Sequence, residues 1–376
     1  MMYELIATTT FGIEAVCKRE LESLGFKVLK TENGKVTFLG DESGIARANL
    51  WLRTADRILL KVSEFKAVTF NELFDQVKAI DWDQYIPKDG EFVVNGKSVK
   101  SKLFSISDCQ RLTKKAIVDK LMWKYKTDEL TEDGEKFTIL VALLKDIVTL
   151  TIDTSGDALH KRGYRIKTVE APLKETLAAT LVLLSFYNKD RILYDVFCGS
   201  GTIPIEAALI ARNIAPGLNR DFASKHWSFI SKDIWKEETR KAYQAIDFDS
   251  EITIFASDIS DYNLKCAMEN AEEAGVDDCI TFSVSDFKNL ELEDNFGILI
   301  SNPPYGERLG DDPEVEKLYG QLGKKLNPLK TWSKYLLTSF KDFEKAFNFR
   351  ADRKRKLYNG RLETWYYQYY GPRPKN

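Results

Sequence analysis

The spacing of apolar and polar positions changes twice along the chain, and the changes suggest three units. Up to about residue 65, short apolar runs alternate with amphipathic stretches. "YELIATT" at 3–9, "GKVTFLG" at 34–40 and "RILLKVSEF" at 57–65 read as strands. "GIEAVCKRELESLG" at 12–25, with Gly25 near its C-terminal cap, and "ESGIARANLWLRT" at 42–54 read as helices. This order predicts a small ferredoxin-like unit. Between 66 and 165 the pattern gives a helix at "FNELFDQVKAI", a strand at "EFVVNGKSV", a basic helix at "SDCQRLTKKAIVDKLMWKY", and strands at "KFTILVALLKDI" and "VTLTIDTSG".

From about 166 onward, apolar strands are separated by helices. The strands are "RILYDVF", "ITIFASD", "CITFSVSD", "FGILISN" and "YLLTSF". Runs this apolar, with helices such as "IPIEAALIAR" and "SDYNLKCAMENAEEAG" between them, predict a parallel sheet covered on both faces. The end differs: "RKRKLYNGRLETWYYQYYG" places Asn359-Gly360 between two strand-like runs, the signal of an antiparallel hairpin.

Composition narrows the chemistry by exclusion. Five cysteines, scattered and without a C-x-x-C pair, argue against a disulfide framework and against zinc. With only two histidines, His160 and His226, a His-rich metal site or a nucleophile–histidine pair is not expected. No apolar run reaches the ~20 residues of a membrane span and no signal peptide pattern opens the chain, so a cytoplasmic protein is expected. The net charge of −2 hides a local asymmetry. Nine Lys/Arg between Lys97 and Lys126 face only Asp108 and Asp119, and "HKRGYRIK" at 160–167 and "RADRKRK" at 350–356 add two smaller basic clusters. On the basic helix Arg111, Lys114 and Lys115 share one face, a solvated surface or a grip for a polyanion.

In a parallel α/β sheet, ligands bind beyond the C-terminal ends of the strands. After the first strand stands "YDVFCGSGTIPIEAA". Gly199 and Gly201 allow a tight turn into a helix, the third glycine of a dinucleotide fingerprint is absent, and Asp195 precedes the turn. A nucleotide without a pyrophosphate, such as S-adenosylmethionine, fits better than NAD. After the second strand Asp258 is placed to accept both ribose hydroxyls. The segment 213–245 between the glycine turn and this strand reads as an insertion. After the third strand Asp286 is placed to receive an adenine amino group. After the fourth comes "SNPPY". An exocyclic amine conjugated to a base is a poor nucleophile. The Asn302 side-chain oxygen and the Pro303 carbonyl can each accept one of its N–H bonds, on a backbone that Pro303 and Pro304 stiffen. Tyr305 can stack on the base.

"CGSGT", Asp258, Asp286 and "NPPY" together resemble the amino-methyltransferase branch of the class I S-adenosylmethionine-dependent enzymes. "LHKRGYR" (159–165), "APLKETLAA" (171–179), "DVFCGSGTIPIEAA" (195–208) and "NIAPGLNR" (213–220) are similar to the THUMP-domain RNA methyltransferases, specifically the bacterial 23S rRNA guanine-N2 group with a single methyltransferase domain. The resemblance implies an α/β fold: a Rossmann-like methyltransferase with a mostly parallel seven-stranded sheet and an antiparallel terminal hairpin, preceded by an α+β ferredoxin-like plus THUMP region. The expected units are 1–65, 66–165 (THUMP) and 166–376. It implies a cofactor site of Asp195, Cys198, Gly199, Ser200, Gly201, Thr202, Asp258, Ile259, Asp286 and Phe287, with Thr176 at the methionine end. The base site is Asn302, Pro303 and Tyr305. RNA contacts are expected from Arg111, Lys114, Lys115, Lys161, Arg162, Tyr164 and Arg165.

The expected activity is methylation of a guanine N2 amine in 23S rRNA by a monomer that needs no metal and no membrane. A tRNA guanine-N2 enzyme, an N6-adenine or glutamine-amide methyltransferase, and a non-catalytic RNA-binding assembly factor stay open. Longer relatives carry a second methyltransferase domain, so a second modification is not expected of a chain ending at Asn376.

Overall fold

The computed structural model describes residues 1–167, 169, 172–292, 296–305 and 312–372. The amino-terminal half contains β1 (Tyr3–Thr8), α1 (Glu14–Ser23), β2 (Lys27–Glu32), β3 (Lys35–Gly40), α2 (Glu42–Trp51), β4 (Arg57–Lys66), α3 (Phe70–Lys78), β5 (Glu91–Val99), α4 (Ile106–Tyr125), β6 (Lys136–Leu144) and β7 (Ile147–Asp153). Its strands form one sheet in the order β2-β3-β1-β4-β7-β6-β5, antiparallel except for β5 on β6. The first unit is therefore β-α-β-β-α-β. The extra strand β2 is a mostly exposed edge that turns into β3 at Asn33-Gly34, with Gly34 left-handed at φ +76°. The strand predicted over 136–147 ends instead at Leu144, because Lys145 and Asp146 are both left-handed and turn the chain into β7.

The carboxy-terminal half follows with α5 (Glu175–Leu184), β8 (Leu193–Asp195), α6 (Thr202–Ala211), α7 (Lys232–Gln244), β9 (Ile254–Asp258), α8 (Asp261–Glu273), β10 (Ile280–Val284), β11 (Ile298–Ser301), α9 (Asp312–Leu326), β12 (Ser333–Thr338), α10 (Phe343–Phe347), β13 (Arg353–Asn359) and β14 (Leu362–Tyr369). The sheet order is β10-β9-β8-β11-β12-β14-β13. The first five strands are parallel, and β14 and β13 close the edge antiparallel. This is the expected mostly parallel seven-stranded sheet with its terminal hairpin. The strand order reverses direction at β8, whose neighbours are β9 and β11, so the crevice for a ligand opens above these three.

Residues 213–245 are more than an insertion in the second sheet. Phe222, Trp227, Ile230 and Trp235 are buried in the same core as Phe38, Leu50 and Phe137 of the amino-terminal half. The Trp227 ring stacks on Phe137 at 5.0 Å, and its indole N–H donates to the Lys136 carbonyl at 3.0 Å. Gly217 is required where the chain crosses α2: a Cβ there would sit 2.8 Å from Leu50 Cα.

A second junction is ionic. Arg162, 4% exposed, places its guanidinium 3.4 Å from Glu206 of α6 and donates to the carbonyls of Leu159 and Arg53. The Tyr164 hydroxyl donates to the same Glu206 oxygen at 3.1 Å. Arg53, also buried, donates to the Ile214 carbonyl at 2.8 Å, just past the end of α6. Burial pushes the Glu206 carboxyl above its usual range, and the two guanidiniums pull it back. The expectation that Arg162 and Tyr164 touch RNA is thereby corrected: both point inward, and their basic motif is a buried clasp.

Removing one partner of a buried ion pair leaves the other charge without compensation. Arg162→Leu is expected to lower unfolding stability by ~3–5 kcal/mol in urea denaturation, while Arg162→Met with Glu206→Leu recovers most of the loss. A single variant within about 1 kcal/mol of wild type, the range of an exposed pair, would show that solvent already compensates Glu206.

Candidate active site and cofactor cavity

The turn after β8 is built by backbone geometry. Gly199 (φ +53°) and Gly201 (φ +83°) are left-handed, which lets the chain double back into α6. The Cys198 N–H donates to the Ser257 carbonyl, and the Gly201 N–H to the Cys198 carbonyl. The Gly199 N–H donates to Asp258 Oδ2 at 2.9 Å. Asp258, at the end of β9, also receives the Ser260 N–H at 2.9 Å and the Asn263 side-chain amide at 3.2 Å. Its carboxylate is thus aimed by three donors and still borders open space.

That space is a cavity of about 800 Å³ lined by Phe197, Gly199, Asp258, Ile259, Asp286, Phe287, Asn302 and Pro304, among others. Ile259 is 72% exposed, and the Phe287 ring packs 5.3 Å from Phe197. The Asp286 side chain accepts the Lys288 N–H at 3.0 Å. Carboxylates at the ends of β9 and β10, an apolar side chain after each, and a glycine turn fit an adenosine with a short charged tail. A smaller space of about 40 Å³ adjoins it, lined by Asp195, Cys198, Ser200, Thr202 and Asn302. Thr176 is not on either wall. It is 2% exposed within α5, so the structure does not bring it to the methionine end as expected.

Two loops meet at a buried hydroxyl. Ser301, the last residue of β11, donates from Oγ to Asp195 Oδ1 at 2.7 Å and accepts the Val196 N–H at 3.0 Å. Asp195 also accepts the Phe197 N–H at 3.1 Å. Burial pushes the Asp195 carboxyl up to about 7, the Asp258 charge adds to the rise, and the Ser301 and Phe197 hydrogen bonds oppose it. The Cys198 thiol is held well above its usual range by burial, then by Asp195 and Asp258, and is not a nucleophile at neutral pH.

Next to Ser301, Asn302 borders both cavities, and its Oδ1 is buried with no hydrogen-bond partner among the described residues. Behind it the Tyr319 hydroxyl of α9 donates to the Pro304 carbonyl at 3.2 Å and shares a 2.7 Å hydrogen bond with Thr338 at the end of β12. Pro303 is buried, and Tyr305 is only 8% exposed and lines neither cavity in this arrangement. Gly306, Glu307 and Arg308 of the same loop, and Ala171 of the segment before α5, lie outside the described residues.

On α4, Arg111 and Lys115 are exposed, Arg111 beside Asp108 at 3.1 Å. Lys114 instead reaches Glu132 at 3.1 Å and the Phe92 carbonyl at 3.2 Å. Lys161 is exposed, 3.0 Å from Asp157. Arg165 joins Glu175 at 2.7 Å to Thr202 Oγ1 at 3.1 Å, so it braces the start of α6. Sequence reasoning passed over Ser301, Asn263 and the exposed Trp123 of α4, 71% exposed beside Lys120. For Ser301 and Asn263 the only signal was adjacency to an assigned residue on the same turn. Among the described residues there is no cluster of metal-binding side chains, and no helix is long and apolar enough to cross a membrane.

Three known families match successive parts of the chain. The "RMKL-like, methyltransferase domain" family matches residues 162–368, the "RlmL ferredoxin-like domain" residues 4–59 and the "THUMP domain" residues 67–153. A Bacillus subtilis (strain 168) protein described as "Putative RNA methyltransferase YpsC" is 51% identical over 98% of this chain and 96% of its own. A crystal structure described as "a predicted N6-adenine-specific DNA methylase", from Listeria monocytogenes, is 49% identical and superposes with a TM-score of 0.94 over 99% of this chain and 97% of that one. "SMU.472, a putative methyltransferase complexed with SAH", is 45% identical, with a TM-score of 0.95 over 100% and 99% of the two chains.

The raised Asp195 gives a signed expectation. A carboxyl whose folded value lies above its unfolded value binds more protons when folded, so stability falls as pH rises between the unfolded value near ~4 and the folded one. Asp195→Asn keeps an acceptor for Ser301 and cannot ionise. Unfolding experiments without cofactor should show the variant gaining on wild type from about pH 4 to about 7. A difference that stays constant over that window would mean Asp195 is ionised in the folded protein throughout.

Proposed function

The chain belongs to the RMKL-like methyltransferases that carry a THUMP domain, S-adenosylmethionine-dependent enzymes acting on RNA, and from that premise we propose that it methylates the N2 amine of a guanine in 23S rRNA, in the cytoplasm. The observation that carries the chemistry is Asn302 Oδ1, a buried acceptor without a partner at the end of β11, beside the cofactor cavity. A buried acceptor left open is costly unless a ligand completes it, and an N–H of the target amine is such a donor.

In this reading Asp258 holds the ribose, Asp286 meets the adenine amine, and Ile259 and Phe287 flank the ring. The turn from Cys198 to Thr202, with Asp195, surrounds the methionine end. S-adenosylmethionine supplies a methyl group on a cationic sulfur that leaves as a neutral thioether. Asn302, with the Pro303 carbonyl, draws the amine hydrogens out of the base plane and so localises the nitrogen lone pair for attack. The N–C bond forms as the C–S bond breaks with its electron pair going to sulfur. The nitrogen, cationic after transfer, loses its proton to water, and no strong base is needed. Tyr305 stacks on the base only if its ring leaves the buried position it holds here. Arg111 and Lys115 on α4, with Lys161, meet the RNA backbone.

The description of the Listeria relative favours a second reading, an adenine N6 amine, which the same acceptors would suit. The THUMP match and the RNA description of the Bacillus relative support RNA as the substrate. For the guanine and for rRNA over tRNA, the support is the motif resemblance alone.

Asn302→Ala is expected to lower methyl transfer by ~10²–10³-fold, the range for loss of one preorganised polar group. S-adenosylhomocysteine affinity by calorimetry should change by no more than a few-fold. Wild-type turnover in the variant would remove Asn302 from the chemistry. Incubating the enzyme with cofactor and RNA from a deletion strain, then analysing nucleosides of separated rRNA and tRNA by mass spectrometry, should give N2-methylguanosine in 23S rRNA. N6-methyladenosine as the product would replace the guanine reading, and a tRNA product the rRNA reading.

A further inference from the structure

The basic cluster at 350–356 resolves into two faces of one strand. β13 is the edge of the second sheet, and alternate residues point to opposite sides. Lys354 and Lys356 share one side, where each has its own carboxylate, Glu344 and Glu363. Arg353 and Arg355 share the other side with Leu357, which is buried in the same core as Ile13 and Val16 at the start of α1 and approaches Gly12 just before that helix. On that side no arginine has an acidic partner among the described residues.

Arg19 of α1 is brought to the same place. Its guanidinium lies 5.1 Å over the ring of Phe186, which follows α5, is 70% exposed, and has a left-handed backbone (φ 55°), a strained state for an aromatic residue. Arg353 is exposed, while Arg355 is half-buried and its Nε has no hydrogen-bond partner among the described residues. Burial, then the nearby Arg353 and Arg19, depress the Arg355 guanidinium. The carboxylates of the surrounding elements are committed elsewhere. Glu22 pairs with Lys18, and Glu20 receives the N–H groups of Arg53 and Thr54. Glu14 receives those of Gly12 and Gly34, and Asp352 that of Tyr370. The Tyr335 hydroxyl of β12 donates to the Ser185 carbonyl at 3.3 Å, and its ring lies 6.4 Å from the exposed ring of Tyr370, so the segment carrying Phe186 meets this edge of the sheet. Three like charges thus converge from α1 and β13 with no ion-pair partner among the described residues.

Like charges repel, so a folded seam that gathers them is completed by an anion from outside. A guanidinium fork matches a phosphodiester, and exposed rings interleaved with cations are what unpaired nucleotides stack on. We infer that the seam between α1, Phe186 and the edge strand β13 is a second RNA-contact surface, distinct from α4: Arg19, Arg353 and Arg355 hold phosphodiester groups, and Phe186 and Tyr370 stack on unpaired bases. The inference rests on the reading of this chain as an RNA enzyme and does not depend on which RNA it modifies.

The test uses the full-length protein, fluorescein-labelled unmodified 23S rRNA transcript, and anisotropy titrations between about 50 and 200 mM KCl. Bulk unmodified tRNA serves as a second probe. The variant Arg19→Gln/Arg353→Gln/Arg355→Gln should bind at least ~10-fold more weakly at the upper salt, and its log–log salt slope should be shallower by about 2, at ~0.7–0.9 for each phosphate no longer neutralised. Lys354→Gln/Lys356→Gln, on the paired side, should change the slope by less than about half that amount. S-adenosylhomocysteine affinity reports whether the triple variant is folded. If it is not, the exposed single change Arg19→Gln is read instead, with an expected slope change of about 0.7–0.9. An effect on tRNA but not on 23S rRNA supports the seam and moves the substrate assignment. A salt slope equal to wild type on both probes, or an equal loss in the Lys354/Lys356 variant, overturns the seam.

Discussion

A charge cannot be left alone in a protein interior, and the pair of Arg162 and Glu206 is where this molecule meets that constraint. Glu206 stands on α6 one turn after the glycine loop, completely buried in an otherwise apolar helix. Its partner comes from the segment that leaves the amino-terminal half, and Tyr164 and Arg53 complete the array. Arg165, three residues beyond Arg162, reaches Thr202 at the start of the same helix. The amino-terminal half therefore grips α6, whose first turn at Thr202 borders the smaller space beside the cavity. Separating the halves would expose or orphan these charges, at several kcal/mol each. The aromatic residues of 213–245 make the same junction with apolar area.

Within the catalytic half a smaller device sets the geometry of the chemistry. The Ser301 hydroxyl both receives the Val196 N–H and donates to Asp195. It ties the ends of β8 and β11 together one residue before Asn302. Asp258 does the corresponding task between β8 and β9 through the Gly199 N–H. The strand ends that surround the cavity are thus cross-linked by hydrogen bonds from main chain to side chain. Such bonds keep acceptors aimed without a ligand to organise them, which is what preorganisation requires.

Much of this was legible in the sequence because periodicity and strand-end motifs are local. The parallel strands, the Asn359-Gly360 hairpin, the left-handed glycines and the acids at the ends of β8, β9 and β10 all declare themselves within a few residues. What was not legible depended on distant partners. "HKRGYR" reads as a basic surface until Glu206, 44 residues further on, turns Arg162 inward. An acid inside "IPIEAALIA" was the available signal, since such a residue must have a partner. β2 escaped because its pattern is mostly exposed and has no apolar face, although Asn33-Gly34 marked the turn that follows it. Thr176 and Tyr305 were assigned by motif, and a motif does not report burial.

On the reading proposed above, the open acceptor of Asn302 also sets the limit of what its loop decides. Two acceptors fixed in a stiff loop select an amine over a hydroxyl or a ring carbon, because only an amine brings two N–H donors to one nitrogen. They do not select between amines, since guanine N2 and adenine N6 present the same pair of hydrogens and the same conjugated lone pair. The rest of the base edge differs in donors and acceptors, and a site built to pair with it would reject the wrong base by leaving polar groups unpaired. Choice of base therefore belongs to side chains that meet the ring edge and to the surfaces that bring one nucleotide of a folded RNA to the cavity. In this architecture the amino-terminal half is joined to the catalytic half both through Glu206 of α6 and through the aromatic residues of 213–245, so a surface on either half is held in a fixed relation to the cavity by packing and charge together.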